Sequence, residues 1–346
     1  MGKKKTIFFQ VIAISLLTFF VYFPSLTNGF IWDDDDYVIN NFSIQKTDGL
    51  KEIWFSFKTP QYYPVVFSSF WLEYKLWGLH PAGYHLINLI FHIFNALLIY
   101  AVLFKLHRPL ALIAALIFAL HPVQVETVAW ITERKNIFGA FFYLLTTLFY
   151  VRFYDSHRKK DYALSLLSFV FALLSKSITS TFVVVPILIR WWQGQKFSKR
   201  DMFQLSPFVL FGFFAGLNTA YLEIVRVGAQ GSSWSLPLLG KLVLPGKIIL
   251  FYLYKLMFPF ELIFFYPRWH IDPAGLWQWL PSVCVVLMAG ILYFYREKIG
   301  RGAFALFLCF GASLFPALGF FNVYPMMYSY VADHFQYIAS ISGIVL

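Results

Sequence analysis

Long apolar runs alternate along the chain with short polar joints, and most of the runs have the length of a membrane span. Crossing a hydrocarbon core takes about 20 apolar residues. Stretches of that kind lie at roughly 7–27, 84–104, 109–120, 137–153, 162–175, 177–192, 202–222, 274–295, 302–321 and from 335 onward. The pair on either side of Ser175-Lys176-Ser177 reads as two short spans meeting at a polar tip. The stretch 243–265 is interrupted by Lys247, Lys255, Pro259 and Glu261, so it reads as an interfacial or re-entrant helix. The pattern predicts an all-α, polytopic helical membrane protein of about ten spans. It also predicts a long first loop over 30–83 and a further non-spanning segment over 223–273.

Composition sharpens this picture. Of 346 residues, 59% are hydrophobic and 13% charged, about half the ~25% charge of a soluble domain. Too little charge remains to coat a water-soluble enzyme of this length. Lys and Arg number 28 against 17 Asp and Glu, a net charge of +11. Those charges are dispersed between apolar segments instead of gathered on one face, which argues against a nucleic-acid partner. Cys284 and Cys309 both lie in apolar stretches, with neither a disulfide framework nor a metal-ligand spacing.

The basic clusters set the orientation. Lys3-Lys4-Lys5, Lys105 with Arg108, the groups Arg152–Lys160 and Arg190–Arg200, and Arg296–Arg301 all fall on one side when the spans alternate. By the positive-inside rule that side is cytoplasmic, together with the amino terminus. Loops 30–83 and 223–273 then face outward. The asymmetry holds only if 243–265 does not cross. The basic start and long apolar run of the amino terminus, with no A-x-A cleavage pattern, read as a retained signal-anchor.

Reactive side chains concentrate on the outward side. Asp33-Asp34-Asp35-Asp36 follow the first span directly, between Trp32 and Tyr37. Carboxylates packed this closely raise at least one pKa. The cluster suits a general base, a cation site of hard oxygen ligands, or a solvated loop tip. The second outward turn runs His121-Pro122-Val123-Gln124-Val125-Glu126 and then Glu133-Arg134-Lys135-Asn136. Charges that close to hydrocarbon are costly and point to function; the structural alternative pairs Glu126 with Arg134 or Lys135. Lys176 can bind a phosphate as a point charge or snorkel towards lipid headgroups. Asp333-His334 offers one more acid and one more base. His85, Asn88 and His92 share a helical face and read as a polar seam against a neighbouring helix rather than a zinc site. Phosphate-loop, nucleophile-elbow and H-E-x-x-H motifs are missing, which argues against nucleotide-driven pumping.

Several of these pieces together resemble a known family. The first span leading into Phe30-Ile31-Trp32-Asp33-Asp34 is similar to the start of the GT-C superfamily of membrane glycosyltransferases. Leu79-His80-Pro81-Ala82-Gly83-Tyr84-His85-Leu86-Ile87-Asn88 with His92 resembles the second span of the transmembrane and tetratricopeptide-repeat O-mannosyltransferases. Ala119-Leu120-His121-Pro122 with Glu126 and Val128, and Leu174-Ser175-Lys176-Ser177, resemble their next two outward turns. The resemblance extends over residues 1–346 as one GT-C-like transmembrane domain, with a carboxyl-terminal repeat domain expected beyond this chain. Where the family has an arginine near the last motif, this chain has Asp333-His334.

The resemblance implies an inverting transfer from a polyprenyl-phosphate sugar, such as mannose, to a hydroxyl acceptor. A protein Ser or Thr is favoured over a lipid. The implied setting is a bacterial inner (plasma) membrane with the site on its outward face. Asp33 matches the family's catalytic acid, with Asp34 as its orienting partner. Arg134, Lys135, Lys176 and His334 are the implied phosphate ligands; His121, Glu126 and Asp333 would position sugar or acceptor. A divalent cation at Asp33 and Asp34 is compatible with the sequence but not required by it. The competing readings are a transporter or flippase of lipid-linked sugars, and a transferase to a lipid or cell-wall acceptor. Absence of internal symmetry and the one-sided polar residues favour a transferase.

Overall fold

Apolar runs without polar breaks satisfy their backbone groups only as helices when water is excluded, and helices are what these runs form. A computed structural model describes residues 2–228, 231, 234 and 236–346, apart from the side chains of Gly2, Lys3, Arg226 and Val227. No strand occurs among the described residues. Of the outward segment 223–273, residues 229, 230, 232, 233 and 235 lie outside the described ones. The chain divides into two compact units, Met1–Thr179 and Ser180–Leu346.

The first unit begins with α1 (Gly2–Tyr22) and a folded loop that carries α2 (Phe42–Gln45), α3 (Gly49–Phe55) and α4 (Pro64–Trp77). Next come α5 (Pro81–Leu106), α6 (Ala111–Leu120), α7 (Val125–Ala129), α8 (Arg134–Ser156) and α9 (Lys159–Leu173). The loop 30–83 is thus more than a polar connection. Pro64 occupies the first turn of α4, where its missing N–H costs nothing, and Gly78 at φ 59° ends the helix. Val66, Phe67 and Phe70 of α4 pack with Tyr37, Val38, Ile44 and Ile53 of the loop and with Tyr84, Ile131 and Phe138. Trp71 Nε1 donates to the Lys46 carbonyl at 2.8 Å and Trp54 Nε1 to Ser68 Oγ at 2.9 Å, fastening the loop to α4.

The second unit holds α10 (Val184–Trp192), α11 (Lys199–Leu222), α12 (Leu238–Met257), α13 (Leu280–Phe294), α14 (Arg296–Ile299), α15 (Arg301–Leu314) and α16 (Ala339–Val345). Ser198 and Asp201 form a reciprocal capping box that starts α11. Asp201 also pairs with Arg190 of α10. The stretch expected as a helix over 243–265 is instead α12, which ends at Met257, followed by irregular chain to 275. Pro259 ends the helix, because the residue before a proline is pushed out of the helical region. Lys255 Nζ donates to the carbonyls of Phe260 and Glu261 at 2.6 and 3.1 Å, satisfying part of the turn after α12.

Among the described residues, five helical stretches are long and apolar enough to cross a membrane: Lys4–Thr27, Pro81–Leu106, Ile131–Ser156, Lys199–Val225 and Leu276–Phe294. A sixth arises if Arg108–Leu120 and Pro122–Ala129, bent by 54°, count as one span. The protein is an integral membrane protein on this composition. Helix α12 has 20 residues but carries Lys241, Lys247 and Lys255. Ser177–Trp192 and Arg301–Ala317 are shorter, and the 15 residues of α9 rise about 22 Å against a core of about 30 Å.

Candidate active site

Trp32 sits at φ 49°, in the left-handed region that a bulky residue rarely occupies. The kink turns the chain sharply after the first span, so Asp33 and Asp34 point to different surroundings. Asp34 is fully buried. Its Oδ2 accepts the Ile31 N–H at 2.9 Å, and its Oδ1 accepts the Thr132 N–H at 2.8 Å and the Thr132 hydroxyl at 2.6 Å. Burial raises its carboxyl above the ordinary carboxylate value, against those hydrogen bonds and the charge of Lys135, which lower it. Asp34 therefore ties the mouth of α1 to the turn before α8. Asp33 is half-buried, and its charge acts on Lys135. Asp35 and Asp36 are exposed.

The turn Ile131–Glu133 and the first turn of α8 supply the rest. Glu133 is fully buried, with Oε1 at 2.9 Å from Lys135 Nζ and Oε2 at 3.8 Å from Lys176 Nζ. Asn136 donates to Glu133 Oε2 through Nδ2, and its Oδ1 accepts from Lys176 Nζ at 2.6 Å. Lys135 is walled by the rings of Tyr37 and Trp130, at 5.0 and 5.6 Å from their centroids. Burial pushes the Lys176 ammonium down to about 8; Lys135 adds to that, while Glu133 and Glu126 oppose it. Gly139 lets this corner close: a Cβ there would stand 3.3 Å from both Lys176 Cβ and Thr179 Cγ2.

Other residues singled out in the sequence lie elsewhere. Arg134 is fully buried. Its Nε donates to Asn88 Oδ1 at 2.8 Å, one Nη to Ser69 Oγ at 3.2 Å and to Glu73, and the other to the Tyr84 carbonyl at 2.6 Å. The guanidinium also lies 4.7 Å over the Phe70 ring. With those partners it braces α4 and α5 against α8, and it does not present its fork to a ligand. Arg134 forms an ion pair with Glu73 and Lys135 with Glu133, where the structural alternative names Glu126. Nothing in the local sequence points to Glu73, which is 61 residues from Arg134.

His121 accepts the Val123 N–H on Nδ1 at 3.3 Å and caps the turn before α7, which carries Glu126. Two members of the seam on α5 bond to neighbouring segments: Asn88 donates to the Trp130 carbonyl at 3.1 Å, and His92 Nε2 pairs with the Ala119 carbonyl at 3.0 Å, while His85 faces the backbone of Asn28 and Gly29. Ser175 donates back to the Phe171 carbonyl at 2.8 Å rather than flanking Lys176 with a free hydroxyl. In the second unit, Asp333 is buried and accepts the Tyr266 hydroxyl at 3.2 and 3.1 Å on its two oxygens. His334 lies beside it against Phe335. Among the described residues no three or more His, Cys, Asp or Glu side chains gather as a metal site.

Comparison with known proteins follows the same lines. Residues 58–218 match the family model of dolichyl-phosphate-mannose-protein mannosyltransferases. The human protein O-mannosyl-transferase TMTC4 is 32% identical over 162 residues, 39% of this chain and 22% of its own length. The Caenorhabditis elegans protein O-mannosyl-transferase F38B6.6 is 31% identical over 166 residues, 44% of this chain and 24% of its own. Human TMTC3, also named a protein O-mannosyl-transferase, is 30% identical over 142 residues, 38% of this chain and 16% of its own. The chain thus spans about a quarter or less of the length of these relatives. No solved structure matches it. The resemblance read from the aspartates and outward turns is the one that the comparisons return, and over residues 58–218 the chain is similar to the dolichyl-phosphate-mannose-protein mannosyltransferases.

Proposed function

We propose that this protein is a membrane glycosyltransferase that moves mannose from a polyprenyl-phosphate donor to a Ser or Thr hydroxyl of a protein acceptor. The observation that carries the reading is one buried corner in the first unit. There an aspartate pair at the mouth of α1 lies within electrostatic reach of Lys135, which Glu133 shares with Lys176. The similar proteins are named protein O-mannosyl-transferases, which supports mannose and a protein acceptor.

In the reaction the acceptor oxygen attacks the anomeric carbon from the face opposite the phosphate. Asp33 takes the hydroxyl proton as the new C–O bond forms. The bond from the anomeric carbon to the phosphate oxygen breaks, its electron pair leaves with the polyprenyl phosphate, and the configuration inverts. Lys135 and Lys176 stabilise the charge that grows on that phosphate. Asp34, held by Thr132 and Ile31, orients the loop that carries Asp33. Glu126 positions the acceptor or sugar. Arg134 keeps its internal partners and takes no part in phosphate binding. The alternating basic clusters support a cytoplasmic amino terminus and an outward site.

Purified protein supplied with polyprenyl-phosphate mannose and a Ser/Thr peptide tests this reading. Mannosyl-peptide of inverted anomeric configuration is the expected product. Movement of the donor across a reconstituted bilayer without any mannosyl-peptide would overturn the reading in favour of a flippase.

A further inference from the structure

We infer that Glu133 is a positioning residue that sets Lys135 and Lys176 as a paired clamp for the donor phosphate, its two carboxylate oxygens divided between them. The inference rests on the proposed transfer and adds to it the part that neither lysine shows alone. Glu133 is fully buried and is shared between two cations that reach it from different segments: Lys135 from the first turn of α8, Lys176 from the end of the turn after α9. Asn136 locks the arrangement by donating to Glu133 and accepting from Lys176. The absent side chain of Gly139 leaves room for Lys176 to lie against α8.

Charge accounts for the carboxylate at this place. Two ammonium groups side by side in a half-dry corner repel, and Lys135 does push Lys176 towards its neutral form. Glu133 offsets that repulsion and leaves the trio with a single net positive charge. A sugar phosphodiester brings one negative charge to it. The departing monophosphate carries about −1.5 to −2, so the clamp's attraction rises as the bond breaks. The charged groups that face Lys176 are Glu133, Lys135 and Glu126. Removing Glu133 leaves Glu126 as the only carboxylate among them.

The test is the pH dependence of binding of a short-chain polyprenyl monophosphate to the detergent-purified full chain, without any transfer. In the unsubstituted protein affinity should fall as pH rises through about 8, where Lys176 loses its proton. The probe's own second ionisation, near ~6, lies below that window. Glu133→Gln should move the falling limb down by about one unit, and Glu133→Asp should restore most of it. Lys176→Arg, whose guanidinium stays charged, should abolish the limb up to pH 10 or so. A limb at the same pH in Glu133→Gln and unsubstituted protein, with both binding, overturns the positioning role while leaving the transfer reading intact. Failure of the unsubstituted protein to bind the monophosphate at any pH overturns both.

Discussion

Neighbouring carboxylates in this chain do different work because their surroundings differ. Asp34 is saturated by two backbone N–H groups and a hydroxyl. Asp33 is half-buried and electrostatically linked to Lys135. Asp34→Ala should therefore act on stability. It leaves the buried N–H of Thr132 unpaired, at about 1–3 kcal/mol by the usual penalty for a buried donor, and gives up the Ile31 contact as well. Thermal unfolding in detergent would show the lowered midpoint. Lys176→Gln should instead spare expression and folding and raise the apparent donor KM. Titration of Lys176 gives that effect a pH signature. The ammonium exists below about 8 and the neutral amine above it, so kcat/KM for the donor should fall as pH rises through that value. A profile still rising at pH 9 would remove Lys176 from the phosphate site. The aspartate run was legible in the sequence, but the division of labour within it was not, because it depends on Thr132, nearly a hundred residues away.

At the level of elements, hydropathy located most helices to within a few residues, since an apolar run excluded from water has few other ways to satisfy its backbone. It failed at α4, where Val66, Phe67 and Phe70 are core residues of a stretch read as loop. Aromatic residues there signal packing as much as a membrane interface, and sequence does not separate the two. Hydropathy also overran α12, whose end is fixed by Pro259 and the Lys255 contacts rather than by loss of apolar residues. Pairings between elements were least legible of all. Glu73 of α4 and Arg134 of α8 form a buried pair that joins two elements. Glu73→Gln leaves the guanidinium uncompensated and should destabilise the first unit by about 3–5 kcal/mol, measured as a lower denaturant midpoint. Gly139→Val belongs to the same scale. Its branched side chain would press on Lys176 and Thr179, so donor affinity should drop more than unfolding changes. Equal loss of both would show that Gly139 serves packing alone.

Over the whole molecule, the account requires that the segments read as outward share one side of the membrane. On a background in which Cys284 and Cys309 are replaced by Ser, single cysteines at Leu236 and Asp272, which flank α12, should both label with an impermeant reagent from outside. Labelling from opposite sides would mean that α12 crosses and that the charge-based orientation is wrong. The central claim is narrower: Asp33 is the base of a transfer from a phosphate-linked donor held by other residues. Asp33→Asn keeps the shape of the side chain but cannot accept the proton, so it tests the claim most directly. Mannosyl transfer and polyprenyl monophosphate binding are to be measured on the same preparation, alongside Asp35→Asn and Asp36→Asn. The account predicts that Asp33→Asn lowers transfer by about 10²–10⁴-fold with binding unchanged, while the two exposed aspartates lose far less. Transfer retained in Asp33→Asn, or lost equally in all three variants, would contradict it.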